Sequence, residues 1–223
     1  MKRSIFLCVI SLIILFSGCS SMYQLKTPMP QDTIDAIYME SELGSVLDPE
    51  IFHMAMTGYS RILPPKDSII SIVDFTLPST EKRFYVIDLS EKKLRYHTYT
   101  SHGVNTGEDM AIAFSDIEGS RQSSLGFYLT AETYEGKHGV SLKLDGLEKN
   151  FNKRARERYI VIHAADYATE EFILEHGRLG RSWGCPALPP DIAQEIIAYI
   201  KDGSVLFIFG NDDKYLKKSK LIR

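Results

Sequence analysis

Hydrophobic and polar positions along the chain first set apart a short apolar N-terminus. Two basic residues at positions 2 and 3 come before an apolar run over residues 5–16, and the small residues Ser17 and Gly18 follow it. The run is 12 residues long, whereas a membrane-spanning helix needs roughly 18 or more. A basic start, a short apolar run and small residues at its end are typical of a cleaved export signal. We therefore assign residues 1–18 to a signal peptide.

A polar stretch and a helix are predicted next. Residues 19–45 are rich in polar residues and contain two prolines, a composition typical of an extended linker, so a tether is expected there. Asp48 followed by Pro49 is typical of a helix start. Apolar residues then recur at helical spacing, which predicts a helical segment over residues 46–66.

From residue 67 the pattern changes to short β-branched and apolar runs. Such runs predict strands, over residues 68–75, 83–89, 94–100, 125–130, 140–144, 159–163 and 205–209. Short helices are predicted over residues 148–157, 167–176 and 191–201. Strands with a few short helices favour a mainly β or α+β domain, over residues 67–212, above a doubly wound α/β fold. The basic residues 213–223 are expected to form a peripheral tail.

Charge and length limit the functional class. Loss of residues 1–18 leaves 24 of the 26 basic side chains against 29 acidic ones, a formal charge near −5. Nucleic-acid partners require a basic surface, so no nucleic-acid partner is expected. About 205 residues remain, a length that suits one domain with a full hydrophobic core.

The three cysteines have different predicted fates. Cys8 lies in the signal peptide, and Cys19 follows two small residues, an arrangement that resembles a bacterial lipobox. That resemblance implies acylation of Cys19, and several acyl chains on one residue anchor a protein stably. Ser20 and Ser21 resemble the outer-membrane sorting signal of Gram-negative lipoproteins. A palmitate-bearing lipoprotein in the cell envelope, facing the periplasm if the cell is Gram-negative, is therefore expected. The alternative is an ordinary signal with an incidental cysteine.

Cys185 is then the one thiol left in the exported chain, and its neighbours favour a nucleophile above an inert packed side chain. Arg178 and Arg181 are positive charges that favour the thiolate. Gly184 lets a substrate backbone approach without a side chain in the way. Pro186 biases Cys185 toward an extended conformation.

A cysteine nucleophile needs a base within hydrogen-bonding reach. His163 ends the predicted strand over residues 159–163, where a rigid scaffold presents catalytic groups; the alternative is a histidine that only bonds to backbone. His138 lies between two glycines, either near a site or in a solvated turn. A zinc site of His138, His163 and Cys185 lacks the usual short ligand spacing, so neither a metal nor a cofactor is expected.

Four of these residues also fit a known pattern. The signature of the L,D-transpeptidase (YkuD-like) family of murein enzymes is a histidine followed, after a spacer, by Ser or Thr-His-Gly-Cys. This sequence resembles that signature at His163, Ser182, Gly184 and Cys185. The resemblance covers about residues 70–210. It implies an L,D-transpeptidase-like β-sandwich with a few short helices.

The resemblance also implies a reaction. Cys185 attacks a carbonyl of a peptidoglycan stem peptide and forms a thioester, while His163 takes up and returns the proton. Ser182 and backbone N–H groups around Gly184 support the oxyanion. The thioester then passes to an amine, which is transpeptidation, or to water, which is the carboxypeptidase outcome.

One further group must orient His163. Asp166, the carbonyl of Ala164 and His138 are the candidates, and the sequence does not rank them.

Departures from the family signature are expected to affect substrate binding. Trp183 stands where the second histidine of the signature would be, and Pro186 follows the cysteine. These residues indicate a divergent Ser-x-Gly-Cys-Pro branch. Contacts to a substrate carboxylate are then expected at Arg181 or Arg178, with Trp183 and His138 also binding substrate.

Two other classes of protein remain to be weighed. Sortases fit poorly, because they require an arginine shortly after the cysteine and none follows Cys185 closely. NlpC-type peptidases fit poorly, because their cysteine precedes the histidine, whereas His163 precedes Cys185. A lipoprotein that binds peptidoglycan through a retired active site stays open, because Trp183 replaces a histidine.

Overall fold

The computed structural model describes residues 29–64 and 66–223. The predicted signal peptide and Cys19 therefore lie outside the described residues. Among the described residues, no helix combines the length and hydropathy needed to cross a bilayer.

Helices and strands alternate irregularly through the described part of the chain. Its α-helices are α1 (Gln31–Glu40), α2 (Pro49–Arg61), α3 (Glu170–His176), α4 (Pro190–Ile200) and α5 (Asp213–Lys218). Its strands are β1 (Ile69–Asp74), β2 (Phe84–Asp88), β3 (Lys93–Thr98), β4 (Gly126–Gly136), β5 (Gly139–Gly146), β6 (Val161–Ala164), β7 (Ala187–Leu188) and β8 (Val205–Phe209). The predicted class, a mainly β or α+β domain with a few short helices, is confirmed.

The strands form one large sheet in the order β3-β2-β1-β8-β4-β5-β6-β7. β1 pairs with β8 in parallel, and β8 pairs with β4 antiparallel. β4 and β5 form a long hairpin with a register shift between Thr130 and Thr133. At the far edge β6 pairs in parallel with the two-residue strand β7. This edge carries the candidate site.

Helix α2 confirms the helical segment predicted after the tether. Asp48 caps it, because its carboxylate accepts the N–H groups of Glu50 at 2.7 Å and Ile51 at 3.4 Å. Its buried face lies against β1 and β8. Gly58 lies under the ring of Phe127, where a Cβ would come within 2.0 Å of a ring carbon. A glycine is therefore needed for this helix to approach the sheet.

The segment predicted as a tether is partly folded. Within residues 19–45, α1 buries Ile34 and Ile37 against the core, and Leu43 in the following 3-10 turn is fully buried. Two apolar residues three apart share one helix face, which was too weak a pattern to predict a helix. The prediction of a tether over residues 19–45 is therefore wrong for residues 31–45, which are folded onto the core.

The C-terminal segment is also anchored. Tyr215 in α5 is buried, and its hydroxyl donates to the Glu148 carboxylate at 3.0 Å. Ser219 donates to the same carboxylate at 2.6 Å. The predicted tail thus packs on the domain and is not peripheral.

A short helix was predicted over residues 148–157, whereas residues 149–159 form successive turns.

Candidate active site

The pairing of β6 with β7 brings Cys185 and His163 to one place. His163 is opposite Ala187 in the parallel register, and Cys185 lies two residues before Ala187. Two residues before His163 is Val161, whose N–H points at the Cys185 Sγ at 3.5 Å. Because strand side chains repeat every two residues, His163 and Val161 share a face beside the thiol. The strand end predicted for His163 is where the structure places it.

The Cys185 thiol is free and packs against the core. It donates to the carbonyl of Tyr159 at 3.5 Å, a residue whose φ of 55° lies in the left-handed region. Burial raises the pKa of the Cys185 thiol, and the N–H of Val161 and the charges of Arg158 and Lys137 only partly oppose this. The resting group is therefore a thiol that needs a base.

His163 is suited to be that base. Its Nδ1 lies 2.8 Å from the carbonyl oxygen of Ala164, and since a carbonyl only accepts, Nδ1 carries the proton and Nε2 is left with a lone pair. The ring of His138 stacks on it with centroids 4.5 Å apart. Burial lowers the pKa of His163, and nearby His138 and Lys137 lower it further. The imidazole is therefore neutral at pH 7.

The Ala164 carbonyl, one of three predicted candidates, is the group that orients His163. Asp166 is exposed at the start of the 3-10 turn Asp166–Ala168 and is not among the residues that line the cavity. The carboxylate predicted as support therefore does not hold the ring.

Ser182 and Gly184 shape the loop of residues 177–186 that carries Cys185, which we call the nucleophile loop. The Ser182 hydroxyl donates to the Cys185 carbonyl at 2.7 Å and accepts the Gly184 N–H at 3.0 Å. Gly184 has a φ of 123°, and a Cβ there would lie 2.6 Å from the Gln122 carbonyl oxygen. The predicted Gly184 N–H donor for an oxyanion is thus already used. Among the described residues the N–H groups of Trp183 and Cys185 have no acceptor, so both remain as donors.

Residues 103–122 form a long loop that lies against the loop carrying Cys185. Ser123 accepts the Gly103 N–H at 3.0 Å and donates to the Gly184 carbonyl at 3.1 Å. Arg158, a largely buried side chain, donates to the carbonyls of Ser115 and Gln122 at 2.7 Å each. The loop is therefore part of the scaffold of the site.

The two arginines predicted to bind a substrate carboxylate are already paired. Arg181 Nη1 lies 2.8 Å from Glu108 Oε1 and also donates to the Gly107 carbonyl at 3.0 Å. Arg178 Nε lies 3.3 Å from Glu108 Oε2. Arg181 lines the cavity but Arg178 does not. Both guanidiniums thus hold the loop through Glu108.

Trp183 stands at the rim of the cavity. Its side chain is 69% exposed. The Arg121 guanidinium lies 4.5 Å from the ring centroid, a cation–π contact. Trp183 therefore presents an aromatic surface to anything that approaches Cys185.

The groups described above surround a cavity of about 510 Å³. Cys185, His163, His138, Arg181, Ser182 and Trp183 line it as predicted. The sequence analysis missed six further lining residues, namely Tyr134, Lys137, Arg158, Tyr159, Val161 and Tyr167. Lys137 is adjacent to His138, and Tyr159 and Val161 precede His163, so adjacency was an available signal for three of the six.

The described residues hold no group of three or more side chains arranged to bind a metal ion. The side chains that line the cavity include a thiol, a neutral imidazole and three cationic groups.

Residues 44–209 match the L,D-transpeptidase catalytic domain family (YkuD_2). The chain belongs to that family. The match includes the whole sheet, the nucleophile loop and α2, so the family suggested by the residues around Cys185 is confirmed. A comparison with curated proteins finds no match.

Solved structures similar to this L,D-transpeptidase domain are distant. The helical cell shape determining protein Pgp2 from Campylobacter jejuni has 16% identity and a TM-score of 0.42, over 68% of this chain and 50% of that one. An L,D-transpeptidase from Stackebrandtia nassauensis has 14% identity and a TM-score of 0.38, over 83% and 81%. L,D-transpeptidase 1 from Mycobacterium tuberculosis has 13% identity and a TM-score of 0.36, over 64% and 62%.

For three further solved structures this chain spans 59%, 59% and 50% of their length. The three TM-scores are all below 0.5. Membership of the family is therefore shown by the family match alone.

Behind the nucleophile loop, this L,D-transpeptidase domain buries an arginine–histidine pair. Arg83 Nη2 donates to His102 Nδ1 at 2.8 Å, so the His102 proton is on Nε2 and points to the Gly107 carbonyl. The His102 carbonyl accepts the Ser182 N–H at 2.9 Å. Burial, and then the charge of Arg83, lower the pKa of His102 to about 4. The pair therefore connects the core to the loop that carries Cys185.

This pair predicts a loss of stability in acid. Between about pH 6.5 and pH 4 the unfolded chain binds a proton at His102 that the folded chain does not, so stability falls as pH drops through that window. The full effect is about 3 kcal/mol. Urea unfolding of wild type and His102→Asn at pH 7, 5.5 and 4 measures it. Asparagine keeps an acceptor for Arg83, and we expect a flatter pH dependence; an equally steep one contradicts the assignment.

Proposed function

We propose that this domain is a cysteine acyl transferase that acts on peptidoglycan stem peptides through a thioester on Cys185. The observation that carries the proposal is the arrangement of Cys185 and His163 in one cavity, with His163 held through Nδ1 so that Nε2 is free to accept a proton. The family match supports the same class of reaction.

The acylation step begins with a neutral pair. His163 Nε2 takes the thiol proton while the Cys185 sulfur attacks the carbonyl that precedes the terminal D-amino acid. The tetrahedral intermediate then breaks its C–N bond, and the imidazolium of His163 gives its proton to the leaving amine. A thioester and a free D-amino acid result.

We assign oxyanion stabilisation to the Cys185 N–H, which has no acceptor among the described residues and belongs to the nucleophile itself. One such donor contributes on the order of 3 kcal/mol in comparable acyl-transfer sites. Ser182 holds this N–H in place from the other side, because it donates to the carbonyl of the same residue.

The deacylation step decides the product. An amine of a second stem peptide attacks the thioester in transpeptidation, and water attacks it in the carboxypeptidase outcome. In both, His163 removes a proton from the attacking group and returns it to the sulfur.

We also propose that the domain is lipid-anchored in the cell envelope through Cys19. The support is the order of basic, apolar and small residues before Cys19, with Ser20 and Ser21 after it. Mass spectrometry of the mature chain, expected to begin at an acylated Cys19, tests this placement; an unmodified cysteine contradicts it.

The central experiment supplies disaccharide tetrapeptide muropeptides to the purified chain. Liquid chromatography with mass spectrometry is expected to show loss of D-alanine, as hydrolysed tripeptide or as 3–3 crosslinked dimers, and intact mass is expected to show an acyl adduct on Cys185. The two products separate hydrolysis from transfer. Absence of both products and of the adduct overturns the proposal and leaves a peptidoglycan-binding role.

A further inference from the structure

The cavity around Cys185 has charges of one sign only. Its lining includes Lys137, Arg158 and Arg181 and no carboxylate. A substrate that enters such a cavity with a negative charge gains from it, since charges interact more strongly where water is partly excluded. The question is which of the three cations is available.

Two of the three cations are occupied by the protein itself. Arg181 is paired with Glu108. Arg158 donates to two backbone carbonyls and lies 3.7 Å from Asp116. Lys137, in contrast, has no hydrogen-bond or ion-pair partner among the described residues, and its side chain is exposed at the tip of the β4–β5 hairpin. Lys137 is therefore the cation free to bind a ligand.

The position of Lys137 in the hairpin indicates which part of a substrate it faces. Its neighbour His138 stacks on His163 with ring centroids 4.5 Å apart, so the hairpin tip lies on the His163 side of the cavity. His163 must protonate the leaving amine, which places that amine on the same side. In an α-amino acid the amine and the carboxylate share one carbon atom. The carboxylate of the leaving residue is thus directed toward the hairpin tip.

We propose that the Lys137 ammonium binds the α-carboxylate of the D-amino acid that leaves during acylation, an inference that rests on the proposed function. It assigns to Lys137 the role that the sequence had suggested for Arg181 or Arg178. A substrate that ends in a free carboxylate immediately after the scissile bond is then selected over one that ends in an amide.

The test compares two substrates that differ only at that carboxylate. A disaccharide tetrapeptide ending in D-alanine and the same muropeptide ending in D-alaninamide are given to the wild-type chain and to Lys137→Gln. We expect Lys137→Gln to lower kcat/KM for the acid about tenfold, mainly through KM, and to leave the amide nearly unchanged. Lys137→Arg, which keeps the charge, is expected to retain the preference for the acid.

Lys149→Gln is the matched control. Lys149 is another exposed lysine without an ion-pair partner among the described residues, and it lines a different cavity from that of Cys185. Its replacement should leave both substrates unaffected. If Lys137→Gln lowers kcat/KM equally for the acid and for the amide, Lys137 acts only on the nucleophile, and the inference is overturned. An unchanged preference for the acid would overturn it too.

A second measurement separates this inference from the proposed function. Binding of the two muropeptides to Cys185→Ala is followed by isothermal titration calorimetry, which requires no turnover. If the wild-type chain processes neither substrate, the proposed function fails, yet tighter binding of the acid that is lost in Cys185→Ala with Lys137→Gln supports the role of Lys137. Equal binding of acid and amide, or no binding of either, overturns it.

Discussion

Replacement of His163 by alanine is expected to slow acylation of Cys185 by about 10²–10⁴-fold, the usual contribution of a general base. The effect is large because burial raises the pKa of the Cys185 thiol and keeps the resting nucleophile protonated. Without the imidazole, both the thiol proton and the leaving amine have no protein group to exchange protons with. Single-turnover formation of the acyl adduct, followed by intact mass, measures the loss.

Two controls make this result specific. Cys185→Ala should form no adduct at all. His176→Ala removes an exposed histidine at the end of α3, which stacks on Phe172, and should react like the wild-type chain. An adduct that forms equally fast in His163→Ala and wild type would remove His163 from the mechanism.

Replacement of Arg83 by methionine is expected to destabilise the fold by about 3 kcal/mol. The guanidinium is fully buried and donates to the carbonyls of Thr100 at 3.0 Å and Leu77 at 2.8 Å, besides His102. Methionine leaves these acceptors without donors. Relief of the desolvation that lowers the pKa of Arg83 to about 9 offsets part of the cost. Urea unfolding at pH 7 gives the difference.

Arg156→Met is the matched comparison. Arg156 is ion-paired to Glu132 and Asp145, but its side chain is 43% exposed, and exposed pairs contribute about 0–1 kcal/mol. We expect a small loss of stability there. If both arginine variants lose equal stability, the buried network behind the nucleophile loop does not have the importance that its burial indicates.

The sequence predicted seven of the eight strands among the described residues, and it missed β7 and the helix α1. β6 and β8 were recognised because each is a short β-branched or aromatic run, a property of the residues themselves. Helix α1 presents only Ile34 and Ile37 to the core, and such a stripe becomes helical because α2 and the sheet are there to cover it. Packing of that kind depends on distant residues, which local periodicity does not report.

Of the groups that meet in the cavity, the sequence singled out the thiol and the imidazole, and it did not rank the groups that hold them. Cys185 and His163 were recognised because few side chains carry their chemistry. The Ala164 carbonyl that holds His163 is backbone, and backbone groups leave no mark in residue type. The pairing of Arg181 with Glu108 could not be predicted, because the two residues lie 73 positions apart in the chain. Availability of a charge is a property of the folded arrangement, which is also why Lys137 was missed.

If the proposed lipid anchor is correct, the early start of α1 limits the distance between the folded domain and the membrane. With Cys19 acylated as proposed, only the 12 residues from Cys19 to Pro30 connect the lipid to the folded body. Fully extended, they span at most about 40 Å. The domain would then reach only the layer of murein close to its own bilayer. A longer connection would let it reach murein further from that bilayer.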